Sequence, residues 1–240
     1  MKTPIDAAAQ LAITTLTKQA PAASELAKLF KVAGFKLALV GVPVRDAILG
    51  RLGNDLDFTT DAHPEDSEKI LNKWADSVWD IGAAFGTVAG KKDEITVEIT
   101  TYRSESYDPN SRKPDVEFGK SIEADLARRD FTINAMALEL TTDEPTFIDL
   151  FNGVLDLQKK IIKTPGKPED SFSDDPLRMM RAARFMSQLN FEVDQSVLVA
   201  IKNMAARLEI ISAERIRDEF IPTAWHHIIS GNWISRLLPA

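Results

Sequence analysis

Asp55 and Asp57 stand two residues apart in Asp55-Leu56-Asp57-Phe58-Thr59-Thr60. The apolar and β-branched residues around them read as a short strand, where residues two apart point to one side, so the two carboxylates are presented together. Such a pair repels itself unless a cation lies between. A hard divalent ion with oxygen ligands, Mg²⁺ above all, suits it, because that ion keeps waters and phosphate oxygens in its shell. Upstream, the apolar run Leu37 to Val40 ends at Gly41, and Pro43 opens a helical pattern. A strand, a tight glycine turn and a helix start aim backbone N–H groups at an anion above the strand end. Taken singly, a D-x-D pair and a glycine turn are both common on surfaces. Their spacing, with Arg45 and Asp46 between, is the specific signal, and together they suggest nucleotide chemistry.

The elements that must hold these groups follow from periodicity. Residues Ala22 to Ala33 carry Leu26, Leu29 and Phe30 at helical spacing and stop at Gly34, which predicts an amphipathic helix leading into the first strand. A second helix is expected from His63-Pro64 through Trp74, then short strands at Ser77 to Trp79, Gly86 to Ala89 and Glu94 to Thr100. In the last strand Glu98 lies opposite the apolar face of Ile95, Val97 and Ile99, and is either a third metal carboxylate or a solvent-facing residue. Ser104 to Pro114 is polar, proline-bearing and aperiodic, and reads as a mobile loop; Ile122 to Leu138 reads as one helix containing Arg128-Arg129-Asp130. Val154 to Lys159 is expected to be a short helix and Ile161 to Lys163 extended. Thr164 to Ser173, with Pro165, Gly166 and Pro168, is the best domain boundary, and only helices are expected after it. The first of these, from Asp174-Asp175-Pro176, carries Arg178, Arg181 and Arg184 on one broad side.

GVPVRDAILGR followed by DLDFTT resembles the first signature of the class II (bacterial-type) tRNA nucleotidyltransferases and bacterial poly(A) polymerases, G-G-x-V-R-D and then D-x-D. One position departs: Val42 stands where that family has its second glycine, and a branched side chain there narrows the approach of the backbone to a triphosphate. RRDFTINAMA resembles the second signature, which implies Arg129 as a nucleotide contact and Asp130 as acceptor of a ribose hydroxyl. DDPLR resembles the E/D-D-x-x-R signature, which implies that Asp175 and Arg178 read the base while Arg181 and Arg184 brace nucleotide or RNA phosphates. SAERIRDEF resembles the family's neck, and after Phe220 the likeness fades. The resemblance implies an α/β nucleotidyltransferase head with a small mixed sheet over residues 1–165 and an all-α neck over 166–240, without the further body and tail usual in the family.

The activity so implied is transfer of CMP and AMP from CTP and ATP to the 3′ end of tRNA. Asp55 and Asp57 would be catalytic and would hold Mg²⁺, with Glu98 as a candidate third ligand; Gly41, Val42 and Arg45 would lie along the triphosphate. Asp175 can only accept and Arg178 only donate, which suits the amino-plus-acceptor edge shared by cytosine and adenine and mismatches guanine and uracil. Two alternatives stand beside this reading: a poly(A) polymerase, against which IGAAFGTVAG resembles the tRNA-modifying branch, and a shortened, catalytically weak homologue that binds nucleotide or RNA.

Bulk composition agrees. The 240 residues carry a net charge of −7, which argues against indiscriminate coating of nucleic acid, and the acidity belongs to the first 170 residues. Absence of cysteine excludes disulfides and thiolate metal sites, and three histidines leave little for zinc; His226-His227 read as helix-surface residues. The first twenty residues lack the compact apolar region of a secretion signal and no stretch is long enough to span a bilayer, so a cytoplasmic protein without membrane partners is expected.

Overall fold

The structure is a computed structural model that describes residues 3–82, 86–106, 115–118 and 121–220. It divides into two compact units, Met1–Arg129 with Ile133–Val154, and Asp130–Thr132 with Leu155–Ala240. The chain thus leaves the first unit earlier than the Pro/Gly-rich segment at Thr164 to Ser173. No helix among the described residues is long and apolar enough to cross a membrane.

The first unit contains helices α1 (Pro4–Gln19), α2 (Pro21–Ala33), α3 (Val42–Ile48), α4 (Pro64–Leu71) and α5 (Ile122–Ala127). Its strands are β1 (Leu37–Val40), β2 (Asp55–Thr60), β3 (Ser77–Gly82), β4 (Thr87–Lys92), β5 (Ile95–Thr101), β6 (Arg103–Ser106), β7 (Asp115–Phe118), β8 (Met136–Glu139) and β9 (Thr146–Asp149). Seven strands form one mixed sheet in the order β3-β4-β5-β2-β1-β8-β9, with β2 and β5 parallel and the other pairs antiparallel, while β6 and β7 pair separately. Alternation sorts its two faces. Leu39, Leu56, Phe58, Val97, Ile99 and Val88 are buried in the same core as Leu26 and Phe30 of α2 and Leu71 of α4. Each such side chain contributes roughly 1.5–3 kcal/mol. On the opposite face, Tyr102, Ile122 and Leu126 form a smaller core with Ala38, Val40 and Ala137 of β1 and β8. Toward β2 and β5 that face carries Asp55, Asp57, Thr96 and Glu98, all exposed or half-buried.

Several elements differ from expectation. Helix α1 was not legible in the mixed first twenty residues, because its buried stripe is mostly small: Ala8, Ala12, Thr15 and Leu16, behind a Thr3/Asp6 capping box. The stretch Ile122 to Leu138 is not one helix. It stops at Ala127, passes a 3₁₀ turn at Thr132–Asn134 and ends in β8, where Ala137, Leu138 and Glu139 pair with Val40, Leu39 and Ala38. A short apolar run has no decisive period, and the open edge of β1 makes it a strand. Ser104 to Ser106, expected in a loop, pair with β7, while residues 107–114 of that loop lie outside the described residues. Helix α4 ends at Leu71, before Trp74.

In the second unit the described elements are α6 (Gly153–Lys159, which begins in the first unit), β10 (Ile161–Ile162), α7 (Pro168–Asp174), α8 (Leu177–Leu189), β11 (Glu192–Val193), α9 (Gln195–Met204), a 3₁₀ segment (Ala205–Ile210) and helical residues 213–220. It is not purely helical: β10 and β11 pair in parallel through Ile161↔Glu192 and Ile162↔Val193. His226 and His227, expected on a helix surface, lie outside the described residues.

Candidate active site

The glycine turn is built as its sequence implies. Gly41 ends β1 and is the residue before α3, with φ 75° and ψ −139°, a backbone state open to glycine and costly for any residue with a Cβ. A Cβ built there would lie 2.8 Å from Nη1 of Arg129 and 3.8 Å from Oδ2 of Asp57. One backbone point therefore gathers the turn, a carboxylate from β2 and a guanidinium that follows α5. Asp55 and Asp57 lie on the face of β2 opposite the buried Leu56 and Phe58, Asp55 exposed and Asp57 half-buried. Glu98 pairs with Asp57 in register and is exposed on the same face. Among the described residues, however, no group of three or more His, Asp or Glu side chains is close enough to form a metal cluster. Glu98 thus stands as a neighbour on the face of Asp55 and Asp57 and does not complete a three-carboxylate cluster with them.

Arg129 is aimed by Asp125. Its Nη2 donates to Oδ2 of Asp125 at 3.2 Å, and Arg128 approaches Oδ1 of the same buried carboxylate at 3.5 Å. Nε of Arg129 is buried with no hydrogen-bond partner among the described residues. A buried donor left so costs roughly 1–3 kcal/mol. Arg45, expected along the triphosphate, is instead 4 % exposed: its Nε donates to Asp46 at 2.9 Å and its Nη1 to Oδ1 of Asn134 at 3.1 Å. Val42 opens α3 with ordinary helical backbone, outside the positive-φ residues, so its departure from the two-glycine pattern adds bulk without backbone strain.

In the second unit the arginines of α8 are tied to carboxylates. Asp130, expected to receive a ribose hydroxyl, accepts from the Phe131 backbone at 2.8 Å through Oδ1 and from Nε and Nη2 of Arg181 at 2.8 and 2.6 Å through Oδ2. Arg181 also approaches Glu219 at 3.4 Å, and Arg184 reaches the other oxygen of Glu219 at 3.1 Å. Burial alone would lower the Arg181 pKa; the charges and hydrogen bonds of Asp130 and Glu219 outweigh it and raise the value, so this guanidinium stays protonated. Phe185 stacks under both guanidiniums, at 5.3 Å from Arg181 and 4.8 Å from Arg184, and meets Phe131 edge-on at 5.9 Å. Asp175 joins α7 to α8: Oδ1 accepts from the Leu177 backbone at 3.1 Å and Oδ2 from Arg215 at 3.0 Å. Nη1 of Arg178 donates to the Ser171 hydroxyl at 2.9 Å.

With this geometry in hand, comparison with known proteins is decisive for the family. The model of the poly A polymerase head domain matches residues 37–163, and that of the probable RNA and SrmB-binding site of polymerase A matches residues 190–221. The chain belongs to the poly A polymerase head domain family. Within that family it is similar to the CCA-adding enzymes of Enterococcus faecalis, at 40% identity over 87% of this chain and 50% of that one, and Lactobacillus helveticus, at 45% identity over 79% and 46%. Among solved structures it resembles the Bacillus stearothermophilus CCA-adding enzyme in complex with CTP, at 34% identity and TM-score 0.74 over 93% of this chain and 49% of that one. It also resembles a tRNA nucleotidyltransferase complexed with a primer tRNA and an incoming ATP analog, at 27% identity and TM-score 0.69 over 90% and 64%. The chain spans about half the length of the curated relatives it matches.

Two residues of this family member escaped the sequence reading. Asp125 carries the arginine of the turn, and Glu219 joins two arginines of α8. Both had a signal: Asp125 lies four residues before Arg129 in a stretch with helical pattern, and three arginines at three-residue spacing require counter-charge once they are covered.

Proposed function

We propose that the chain carries the nucleotidyl-transfer centre of a CCA-adding enzyme, moving CMP and AMP from CTP and ATP to the 3′ end of tRNA. In each transfer the 3′-hydroxyl loses its proton and its oxygen bonds to the α-phosphorus, the bond from that phosphorus to the α,β-bridging oxygen breaks, and pyrophosphate leaves. The observation that carries the reading is the convergence of Arg129 and Asp57 on Gly41, a point where backbone, guanidinium and carboxylate can all reach one triphosphate. The CTP complex of one relative and the primer tRNA complex of another support the same substrates here.

Asp55 and Asp57 fit Mg²⁺ by donor type, two carboxylates on one strand face. Bound there, Mg²⁺ would lower the pKa of the attacking 3′-hydroxyl and neutralise triphosphate charge. Gly41, by lacking a side chain, leaves the phosphates access to the backbone; Val42 flanks them. Arg129, aimed by Asp125 and partly exposed, offers its guanidinium to the nucleotide. Arg45 braces α3 through Asn134, a positioning role. Asp130, Arg181, Arg184 and Glu219 hold the helix on which Arg178 sits, while Asp175 and Arg178 read the base edge. Leaving both mismatched by guanine or uracil would cost several kcal/mol.

The test uses purified protein, Mg²⁺, tRNA lacking its 3′ CCA and each labelled nucleoside triphosphate in turn. Ordered incorporation of C, C and A supports the proposal. Long A tracts identify a poly(A) polymerase instead, and nucleotide binding without turnover identifies a binding homologue.

A further inference from the structure

The sheet face that carries the carboxylates continues away from them in one direction. Register places Trp79 of β3 opposite Ala89 of β4, Ala89 opposite Glu98 of β5, and Glu98 opposite Asp57 of β2. Residues directly paired across strands share a face, so Trp79 stands on the side of the carboxylate pair, three strand spacings or about 14 Å from Asp57. β3 is the edge strand, and Trp79 is 39% exposed there. In the neighbouring row Lys91 of β4 lies between Ser77 and Thr96, in line with Asp55, and is also exposed. In the other direction, over β1 and β8, the same face is closed by Tyr102, Ile122 and Leu126. A polymer whose end lies at Asp55 and Asp57 and which stays on the sheet therefore runs toward β3.

An exposed indole and an exposed ammonium group, on a face that also carries the buried Ala89 and the hydroxyls and carboxylates of Ser77, Thr96, Glu98, Asp55 and Asp57, are a combination suited to single-stranded nucleic acid. The ring accepts any base by stacking and the ammonium takes a backbone phosphate. We infer that Trp79 is a stacking platform for a base of the single-stranded 3′ end of an RNA, with Lys91 contacting the phosphate beside it. This rests on the nucleotidyl-transfer reading, which places the last nucleotide at Asp55 and Asp57. About 14 Å is a span that an extended single strand crosses in a few nucleotides, so the stacked base belongs to the primer, upstream of the residue being extended.

Fluorescence anisotropy with a short labelled RNA oligonucleotide ending in two cytidines tests this on the full chain. Trp79→Ala is expected to weaken binding about 5- to 150-fold with an unchanged salt dependence, and Trp79→Phe to retain most of the affinity. Lys91→Ala is expected to reduce the slope of log affinity against log salt by about 0.7. Circular dichroism melting of each variant shows that the fold is kept. Equal affinity of wild type and Trp79→Ala overturns the inference, as does failure of the wild type to bind the oligonucleotide. Loss of a concentration-dependent dimer in Trp79→Ala, with RNA affinity unmoved, assigns the β3 edge to self-association and overturns it as well. The transfer reading fails on a separate readout, the absence of CMP incorporation, which leaves the oligonucleotide affinities as they are.

Discussion

Replacing Gly41 by alanine probes the point on which the first unit's site converges. Two costs arise. The backbone at φ 75° and ψ −139° is one that residues with a Cβ avoid, at roughly 1–3 kcal/mol. The new methyl would also meet Arg129 Nη1 at 2.8 Å, so the guanidinium must move and weaken its 3.2 Å bond to the buried Asp125. Arg129 is partly exposed, which keeps this second cost near the low end of the range for an unsatisfied buried partner, about 1 kcal/mol. Together these give about 2–4 kcal/mol, or a melting temperature lowered by about 5–15 °C for a unit of this size. Gly34→Ala is the control, because Gly34 has φ 84° but nothing within 4 Å of its missing Cβ; it should lose only about 1–2 kcal/mol. In the Gly41→Ala, Arg129→Ala double variant the clash disappears and the strain remains, so part of the Gly41→Ala loss should be non-additive. Thermal melting followed by circular dichroism gives the stabilities, and titration with CTP gives the nucleotide affinity. If Gly41→Ala melts no lower than Gly34→Ala and binds CTP as wild type does, the geometry described around Gly41 is refuted.

Other perturbations have definite expected results. Asp57→Asn keeps shape and removes charge, and should lower CMP incorporation by about 10²–10³-fold in single-turnover assays with little change in melting temperature, a loss of several kcal/mol in transition-state stabilisation. Glu219→Gln leaves Arg181 and Arg184 short of one counter-charge and, since both arginines keep some solvent, should cost about 2 kcal/mol in urea unfolding. Asp194 caps α9 by accepting from Ser196, whose hydroxyl and backbone hold its pKa below the usual carboxylate value of 3.8. Asp194→Ala should therefore cost about 1 kcal/mol at pH 7, and the difference should shrink only as pH falls below that value through the depressed native one, where wild type protonates too. Val42→Gly should change stability by less than about 1 kcal/mol and transfer rate by less than about threefold, since Val42 already has helical backbone; a tenfold gain in rate would show that the valine obstructs the triphosphate.

What the sequence displayed and what it hid divide by range. Asp55 and Asp57 were readable because strand alternation puts residues two apart on one face, whatever lies elsewhere in the chain. Gly41 was readable because a glycine between an apolar run and a helix start has few other uses. The fates of Arg45 and Asp130 were not, since their partners Asn134 and Arg181 lie 89 and 51 residues away, and a side chain's availability depends on what packs over it. β11 is two residues long and becomes a strand only by pairing with β10, so no local pattern could separate it from a turn. β8 was misread for the related reason that Met136 to Glu139 take their geometry from β1.

The short segment Asp130–Thr132 sets where this protein can be cut. Its three side chains are satisfied by Arg181, Phe185 and Asp156, and the Thr132 backbone by the Lys163 carbonyl, all later in the chain than Val154. A fragment stopped at Val154 would keep the sheet and the glycine turn, yet it would expose a phenylalanine and strand an aspartate immediately after Arg129. Domain swaps and minimal catalytic fragments therefore need to carry residues through α8, or to replace this tripeptide with polar sequence.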